Sequence, residues 1–552
     1  MMVPALPAID RLSLAEQVGQ MVVVRASGHL FDHEITYPAW EADRPTLHHY
    51  IADLGVGGVI LLGGSGAEVG LKTQDLQNQA AIPLLIAADI EEGVGQRFTG
   101  ATWFPPPMAL AAIAAQDYRQ ALDYAEAMGS VTAAEALAMG VNWVLAPVVD
   151  VNNNPDNPVI NVRAFGQTPA LVSDLATAFL RGAQRHGVLT TAKHFPGHGD
   201  TALDSHLDLP CLAHSLERLG RIELPPFAAA IAAGVDTIMT AHLRISALDD
   251  RHPATLSAPT LTGLLRRQMG FQGLIVTDAL VMGAITRRYG PYEAAILAIA
   301  AGADLLLMPP DPEGCIAAVV EAVKTGRLHG DQIGAALGRI WRAKQRVAYR
   351  LHSAAASPHA WEQIPPPPLA IEDLAQPSSQ HLATAILEAS MVTQGKIETA
   401  QASDPGHNLV IVDDVLTCPG LDRRSPALAL PAQFSYHLKL IDHQGCQQWP
   451  QAHSLKPTLV QVLIRGNPFR GSAAVSSLFT SWVEALLGEG LLRGLVIYGS
   501  PYVLEIWRDL LASQVPYGFT YGQMNPAQAL VLGRLGLVGE ATDLPSARAF
   551  TD

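Results

Sequence analysis

The chain has 552 residues, 49% of them hydrophobic but only 6% aromatic, and a formal net charge of −15. The length asks for two or three domains, and a core built from Ala, Leu, Val and Ile favours an α/β fold over an aromatic-rich β-sandwich. The negative charge excludes nucleic-acid binding as the main task, which needs a basic face, and suits a small neutral or modestly charged substrate.

Four cysteines, Cys211, Cys315, Cys418 and Cys446, are scattered without any CxxC pair. That spacing argues against a zinc ribbon or a disulfide scaffold. The first residues, "MMVPALPAIDRLSLAEQ", show no basic region followed by a sustained apolar one. No run approaches the about 18 uninterrupted apolar residues of a membrane span; the richest, "AAILAIAAGADLLLMPP", contains Asp304. The expectation is a soluble, cytoplasmic protein with no membrane partner.

In chain order, the first 350 residues repeat one unit: a short apolar run, a loop, then an alanine-rich amphipathic stretch. The runs are "MVVVRA" from Met21, "GGVILLGG" from Gly57, "PLLIAAD" from Pro83 and "NWVLAPVVDV" from Asn142. "VLTTAKH" from Val188, "VDTIMTAH" from Val235, "LIVTDAL" from Leu274 and "DLLLMPP" from Asp304 follow. Continuous rather than alternating apolar runs are expected of parallel strands buried on both faces. "QDYRQALDYAEAMGSVTAAEALAMG" and "TPALVSDLATAFLRGAQRHG" read as helices between them. Eight strands with intervening helices predict a (β/α)8 TIM-like barrel over residues 1–352, with a doubly wound open sheet as the alternative.

The segment 353–378 is rich in Pro, Ala and Ser and includes four consecutive prolines. It reads as a linker. Beyond it, residues 379–552 show a second α/β pattern, with "NLVIVDDV", "TLVQVLIRGNPF" and "GLVIYGSP" as strands and "SSLFTSWVEALLG" and "PAQALVLGRLG" as helices. This smaller α/β sandwich domain carries no convincing catalytic set.

Chemistry in a barrel collects where strands end and βα loops begin. The third run ends in Asp89, the fifth in Lys193 and His194, the sixth in His242 and the seventh in Asp278, and the loop after the fourth carries Asn161 and Arg163. Asp278, between an apolar strand and an apolar helix start, is either a reactive carboxylate or a helix cap.

The densest titratable segment is "KHFPGHGDTALDSH", Lys193 to His206. As a metal site it offers His194, His198 and His206 with Asp200 or Asp204, at a spacing that matches no standard pattern. No metal and no cofactor is expected. A phosphate cradle lacks GxxxxGK[ST], and "LLGGSGAEVG" misses GxGxxG at Val69. A solvated loop is the bland reading. A proton relay rests on Asp204 and His206, which project to the same side of an extended stretch; the carboxylate would orient and activate the imidazole.

This segment resembles, at all fourteen positions, the signature K-H-[FI]-P-G-[HL]-G-x4-D-[ST]-H of β-N-acetylglucosaminidases in glycoside hydrolase family 3. "LAPVVDVNNNPDNPVINVRAFG", "TIMTAHL" and "IVTDALVMGAI" are similar to further stretches of that family, whereas the C-terminal region resembles its second domain only loosely. The resemblance implies a retaining, exo-acting hydrolase that releases terminal β-linked N-acetylglucosamine from a small carbohydrate. It implies Asp278 as nucleophile, His206 as general acid/base paired with Asp204, and Asp89, Arg97, Arg163, Lys193 and His194 as ligands of the sugar hydroxyls. His198 and His242 read as supporting residues. By resemblance to intracellular members, peptidoglycan-derived muropeptides or chitooligosaccharides are the expected substrates.

The third-strand stretch "DIEEGVGQR" matches the family at Asp89, Glu91, Gly93 and Arg97 and departs at Glu92, Val94 and Gly95, and Ala164 stands where Ser is common. Three other readings remain open: a β-glucosidase or β-xylosidase, a phosphorylase, and a catalytically silent sugar-binding relative. A histidine acid/base favours the second, because its neutral conjugate base does not repel phosphate. The oligomeric state is not specified by these patterns.

Overall fold

The computed structural model describes residues 6–202, 205, 208–349, 369–442, 455–465, 477–511 and 515–538. The eight apolar runs form parallel strands. They are β1 Val22–Ser27, β2 Gly58–Leu62, β3 Leu85–Ala88, β4 Trp143–Val144, β5 Leu189–Phe195, β6 Thr237–Thr240, β7 Leu274–Val276 and β8 Leu306–Leu307. The hydrogen-bonded order is β8-β1-β2-β3-β4-β5-β6-β7. A parallel bridge between Val276 and Leu305 joins the two ends and closes the barrel. All seven residues of β5 and all four of β3 are buried, the both-face burial that continuous apolar runs imply. Polar residues that enter the barrel find partners there: the Trp143 indole N–H donates to Thr191 Oγ1 at 2.8 Å and Thr237 Oγ1 at 3.2 Å.

The predicted helices form at Tyr118–Ala138 and Pro169–Gln184. Asp117 caps the first through the Gln120 N–H, and proline opens the second, where its missing N–H costs nothing. The fourth run is longer in sequence than in the ladder. Only Trp143 and Val144 pair as strand, since Pro147 brings no N–H to continue it. The chain then crosses to β5 through the Val149 N–H to Lys193 carbonyl bond at 2.8 Å. This carries Asp150 to the mouth of the barrel.

The chain divides into two compact units, with the second beginning at Leu387. The proline run of the linker segment lies outside the described residues. Its last part packs on the barrel unit: the Ala370 N–H meets the Ala138 carbonyl at 3.0 Å and the Ala375 N–H meets Glu135 at 2.9 Å.

The second unit is built on a six-stranded sheet. Its strands are β9 Val392–Gln394, β10 Gly406–Val412, β11 Tyr436–Ile441, β12 Thr458–Ile464, β13 Leu492–Gly499 and β14 Tyr517–Thr520. The order is β9-β14-β13-β12-β10-β11, parallel throughout except for β9, which runs antiparallel to β14. Val410, Leu459, Val496 and Tyr498 are fully buried in its core. A polar chain crosses three strands inside it, from the Tyr498 hydroxyl to Gln461 Oε1 and from Gln461 Nε2 to Asn408 Oδ1, each at 2.7 Å. Among the described residues, no helix is long and apolar enough to cross a membrane.

Candidate active site

Strand direction decides which residues share one face. Asp89 follows β3, Lys193 and His194 lie near the end of β5, His242 follows β6 and Asp278 follows β7. All therefore stand at the C-terminal end of the barrel, where βα loops form a mouth.

Four charges interlock there. Arg163 grips Glu91 at two points, Nε to Oε2 and Nη2 to Oε1, both at 2.8 Å. Lys193 Nζ lies 2.5 Å from Glu91 Oε1 and 2.7 Å from Asp89 Oδ1. The Lys193 and Glu91 side chains are only 2% and 3% exposed, against 32% for Asp89. Asp89 is thus the acid of this network that faces outward. Burial opposes the charge of Glu91, but the Arg163 guanidinium and Lys193 ammonium outweigh it and hold its carboxyl well below the usual range. Burial likewise opposes the Lys193 charge, and Asp89 with Glu91 raises it above its ordinary value. The two acids and two bases balance, which is what lets so much charge be buried. Arg97 donates from Nε to the Asp89 carbonyl at 3.0 Å and keeps an exposed head.

Beside this network, Asp150 organises the histidine-rich segment. Its Oδ2 accepts from the His194 backbone N–H at 3.1 Å and from His194 Nδ1 at 2.8 Å, and its Oδ1 accepts from the His198 backbone N–H at 2.6 Å. Burial would raise the Asp150 carboxyl, but His194 and His198 hold it below its ordinary value. A carboxylate only accepts, so His194 Nδ1 carries a proton directed at Asp150. His198 is buried with both ring nitrogens on hydroxyls, Thr201 at 2.7 Å and Ser205 at 2.9 Å. It is neither a solvated residue nor available as a metal ligand. Asp200 is likewise engaged, by Arg218 at 2.6 Å.

Asp278 is half-buried, and its Oδ1 accepts the Ala279 N–H at 2.7 Å. The next helix, Gly283–Tyr289, has Met282 at its cap position, so Asp278 does not serve as that helix's cap. Its backbone is held from β6: Thr240 Oγ1 accepts the Asp278 N–H at 3.4 Å, and His242 Nε2 donates to the Ala279 carbonyl at 3.0 Å. A carbonyl only accepts, so Nε2 carries a proton; Nδ1 lies 2.8 Å from Thr255 Oγ1, whose O–H donates to the Ala241 carbonyl at 3.0 Å.

The structure therefore brings Asp89, Arg163 and Lys193 into one network, sets His194 on the adjoining Asp150 and keeps Arg97 on the Asp89 backbone. The proposed relay pair, Asp204 and His206, lies outside the described residues. Two residues that the sequence reading did not single out as site members, Glu91 and Asp150, tie the set together. Asp150 sits inside the apolar "PVVDV", but its partners are distant in sequence, and Glu91 stands in the acidic run "DIEEG", where only the family resemblance marks it. The altered 91–97 loop also has a physical account. The buried Glu92 carboxylate accepts the Trp103 indole N–H at 3.1 Å. Gly95 runs against the backbone, where a Cβ would lie 2.5 Å from the Ala101 carbonyl oxygen.

Known proteins share this architecture. Residues 13–343 match the Glycosyl hydrolase family 3 N terminal domain, and residues 399–536 match the Bacterial Glycosyl hydrolase family 3 C-terminal domain. Beta-hexosaminidase A of Pseudoalteromonas piscicida is 35% identical over 334 residues, 55% of this chain and 55% of that protein. A beta-hexosaminidase of Tolumonas auensis is 38% identical over 266 residues, 48% of this chain and 78% of that protein. The match thus spans about half the length of the first of these relatives. Among solved structures, a glycoside hydrolase family 3 beta-N-acetylglucosaminidase from Paenibacillus sp. str. FPU-7 has a TM-score of 0.75 at 30% identity, covering 96% of this chain and 97% of that one. Beta-glucoside phosphorylase BglX, at 23% identity, shares the fold, with a TM-score of 0.77 over 96% of this chain and 92% of that one. With a closed parallel barrel, a charged mouth and both domains matched in order, the chain belongs to glycoside hydrolase family 3.

Proposed function

We propose that the protein is an exo-acting, retaining β-N-acetylhexosaminidase that removes terminal β-linked N-acetylglucosamine from a small carbohydrate. The observation that carries this reading is the Asp89–Lys193–Glu91–Arg163 network at the mouth, on the face that also bears Asp278. Asp89, Arg97, Arg163, Lys193 and His194 together supply acceptors and donors for several sugar hydroxyls. The "DSH" triplet supplies the proton relay. The barrel of residues 1–352 is the catalytic part of this proposal, joined through 353–378 to a C-terminal domain, 379–552.

In the proposed reaction a carboxylate oxygen of Asp278 attacks the anomeric carbon as the glycosidic C–O bond breaks. Protonated His206 gives its proton to the departing oxygen, and Asp204 holds the imidazole. Neutral His206 then takes a proton from water, whose oxygen displaces Asp278 from the glycosyl ester and restores the β configuration. Peptidoglycan-derived fragments in the cytoplasm are the substrate and location we assign to this activity.

The test is hydrolysis of aryl β-N-acetylglucosaminide beside aryl β-glucoside by the wild type, His206→Ala and Asp278→Asn. Preference for the acetamido sugar, lost in both variants, is expected. Equal rates on the two sugars would overturn the assignment, and equally inactive wild type and Asp278→Asn would make the chain a sugar-binding relative. Phosphorolysis is the second reading, because the neutral form of His206 does not repel an anionic acceptor. Millimolar phosphate would then accelerate turnover and yield the sugar 1-phosphate; its absence from the products removes this reading.

A further inference from the structure

We propose that His198 is a positioning residue that anchors, through the Ser205 hydroxyl, the segment carrying Asp204 and His206. This rests on the acid/base role given to His206 above.

Ser205 stands between the two relay residues in sequence, so whatever fixes Ser205 limits where both can go. It is 1% exposed, as is His198. A serine in a loop that merely faced water would not be buried against an imidazole at 2.9 Å.

The protons of this contact can be assigned. The Thr201 hydroxyl donates to the His198 carbonyl at 3.1 Å, so toward the ring it can only accept. His198 Nδ1 must then carry the proton at the 2.7 Å contact with Thr201 Oγ1. In the neutral ring Nε2 is left as an acceptor, and the Ser205 O–H donates to it. Burial keeps the ring neutral, pushing its pKa down to about 4.

The latch is itself held from three sides. Asp150 takes the His198 backbone N–H at 2.6 Å, and Asn157 Nδ2 donates to the His198 carbonyl at 2.8 Å. Gly199 passes so close to Val151 that a Cβ would lie 1.8 Å from its carbonyl oxygen. The imidazole is therefore a fixed post, and the serine hydroxyl is what the loop offers to it. Misplacing a reacting group by about 1 Å is enough to cost a rate factor of about 100.

The test compares leaving groups. Phenyl β-N-acetylglucosaminide needs its leaving oxygen protonated, whereas the 2,4-dinitrophenyl analogue hardly does. With the full chain, His198→Ala and Ser205→Ala are expected to lose roughly 10- to 100-fold in kcat/KM on the phenyl substrate and little on the dinitrophenyl one. Ser205→Thr, which keeps the hydroxyl, is expected to stay near the wild type on both. If His198→Ala fails to fold, the two serine variants decide alone. An equal loss on both substrates, or wild-type rates for Ser205→Ala, would overturn the latch. His206→Ala is measured alongside: if it shows no leaving-group dependence, the acid/base assignment fails and the latch with it. If it does show that dependence while Ser205→Ala does not, only the latch fails.

Discussion

Arg163 and Glu91 meet in a two-point ion pair, both contacts 2.8 Å long, with the carboxylate buried and shared by Lys193. Replacing Glu91 by Gln leaves two cations facing each other across an uncharged amide. Removing one member of a buried pair costs about 3–5 kcal/mol, so Glu91→Gln is expected to lower the urea midpoint markedly and to raise KM. An unchanged midpoint would mean that Arg163 and Lys193 are balanced by other groups.

Asp278 is expected to be indispensable. Asp278→Gly should lose at least about 1000-fold in kcat, or about 4 kcal/mol of transition-state stabilisation. Azide added to this variant should restore part of the turnover and give an α-glycosyl azide, because the small nucleophile enters from the vacated side. A β-configured azide product would place the nucleophile elsewhere.

The barrel was legible in the sequence because its strands are buried on both faces, which writes most of them as short, mainly apolar runs, although β5, "LTTAKHF", carries polar residues inward. The second sheet was less so. β11, Tyr436–Ile441, is an edge strand with a partly exposed "YHLKLI" pattern, and β9 has only three residues. Neither makes an apolar run. In the site, Asp89, Lys193, His194 and Asp278 were visible because a polar residue ended an apolar strand. Asp150 was not, since it sits inside "VVDVN", and its role depends on two histidines more than 40 residues away.

The His198 ring gives stability a pH dependence. Its pKa is about 4 when folded and 6.5 when unfolded, so between these values the unfolded chain binds the extra proton. Stability is then complete above pH 6.5 and falls as pH drops toward 4, by about 3 kcal/mol over the window. Asp150, held below its ordinary value, stays charged through that range. Urea midpoints from pH 7 to 4.5 should fall more steeply for the wild type than for His198→Gln. Parallel slopes would assign the dependence to other groups.

Gly95 is expected to tolerate no side chain. A Cβ there would meet backbone atoms of Ala101, Thr102 and Trp103 within 2.7 Å, and backbone cannot swing away as a flexible side chain can. Gly95→Ala should destabilise by about 1–3 kcal/mol and shift the loop that carries Arg97. A melting temperature equal to the wild type's would show that the loop yields freely.

The barrel closes through a single parallel bridge, Val276 to Leu305, with side chains doing part of the joining: Asp304 Oδ2 accepts the Ile275 N–H at 2.8 Å and Thr277 Oγ1 the Leu307 N–H at 2.9 Å. Backbone bonds complete the seam: the Asp304 and Leu305 N–H groups reach the Ile275 carbonyl at 2.7 and 3.1 Å, the Thr277 N–H the Leu305 carbonyl at 3.0 Å and the Leu280 N–H the Leu307 carbonyl at 2.9 Å. A seam tied by backbone and side chains together opens no more easily than the rest of the ladder. Deuterium should therefore reach the Thr277 and Leu305 amides no sooner than those of β2 or β3. The proposed nucleophile then stands on a stave that loosens only with the whole barrel, so that heat takes activity and fold together.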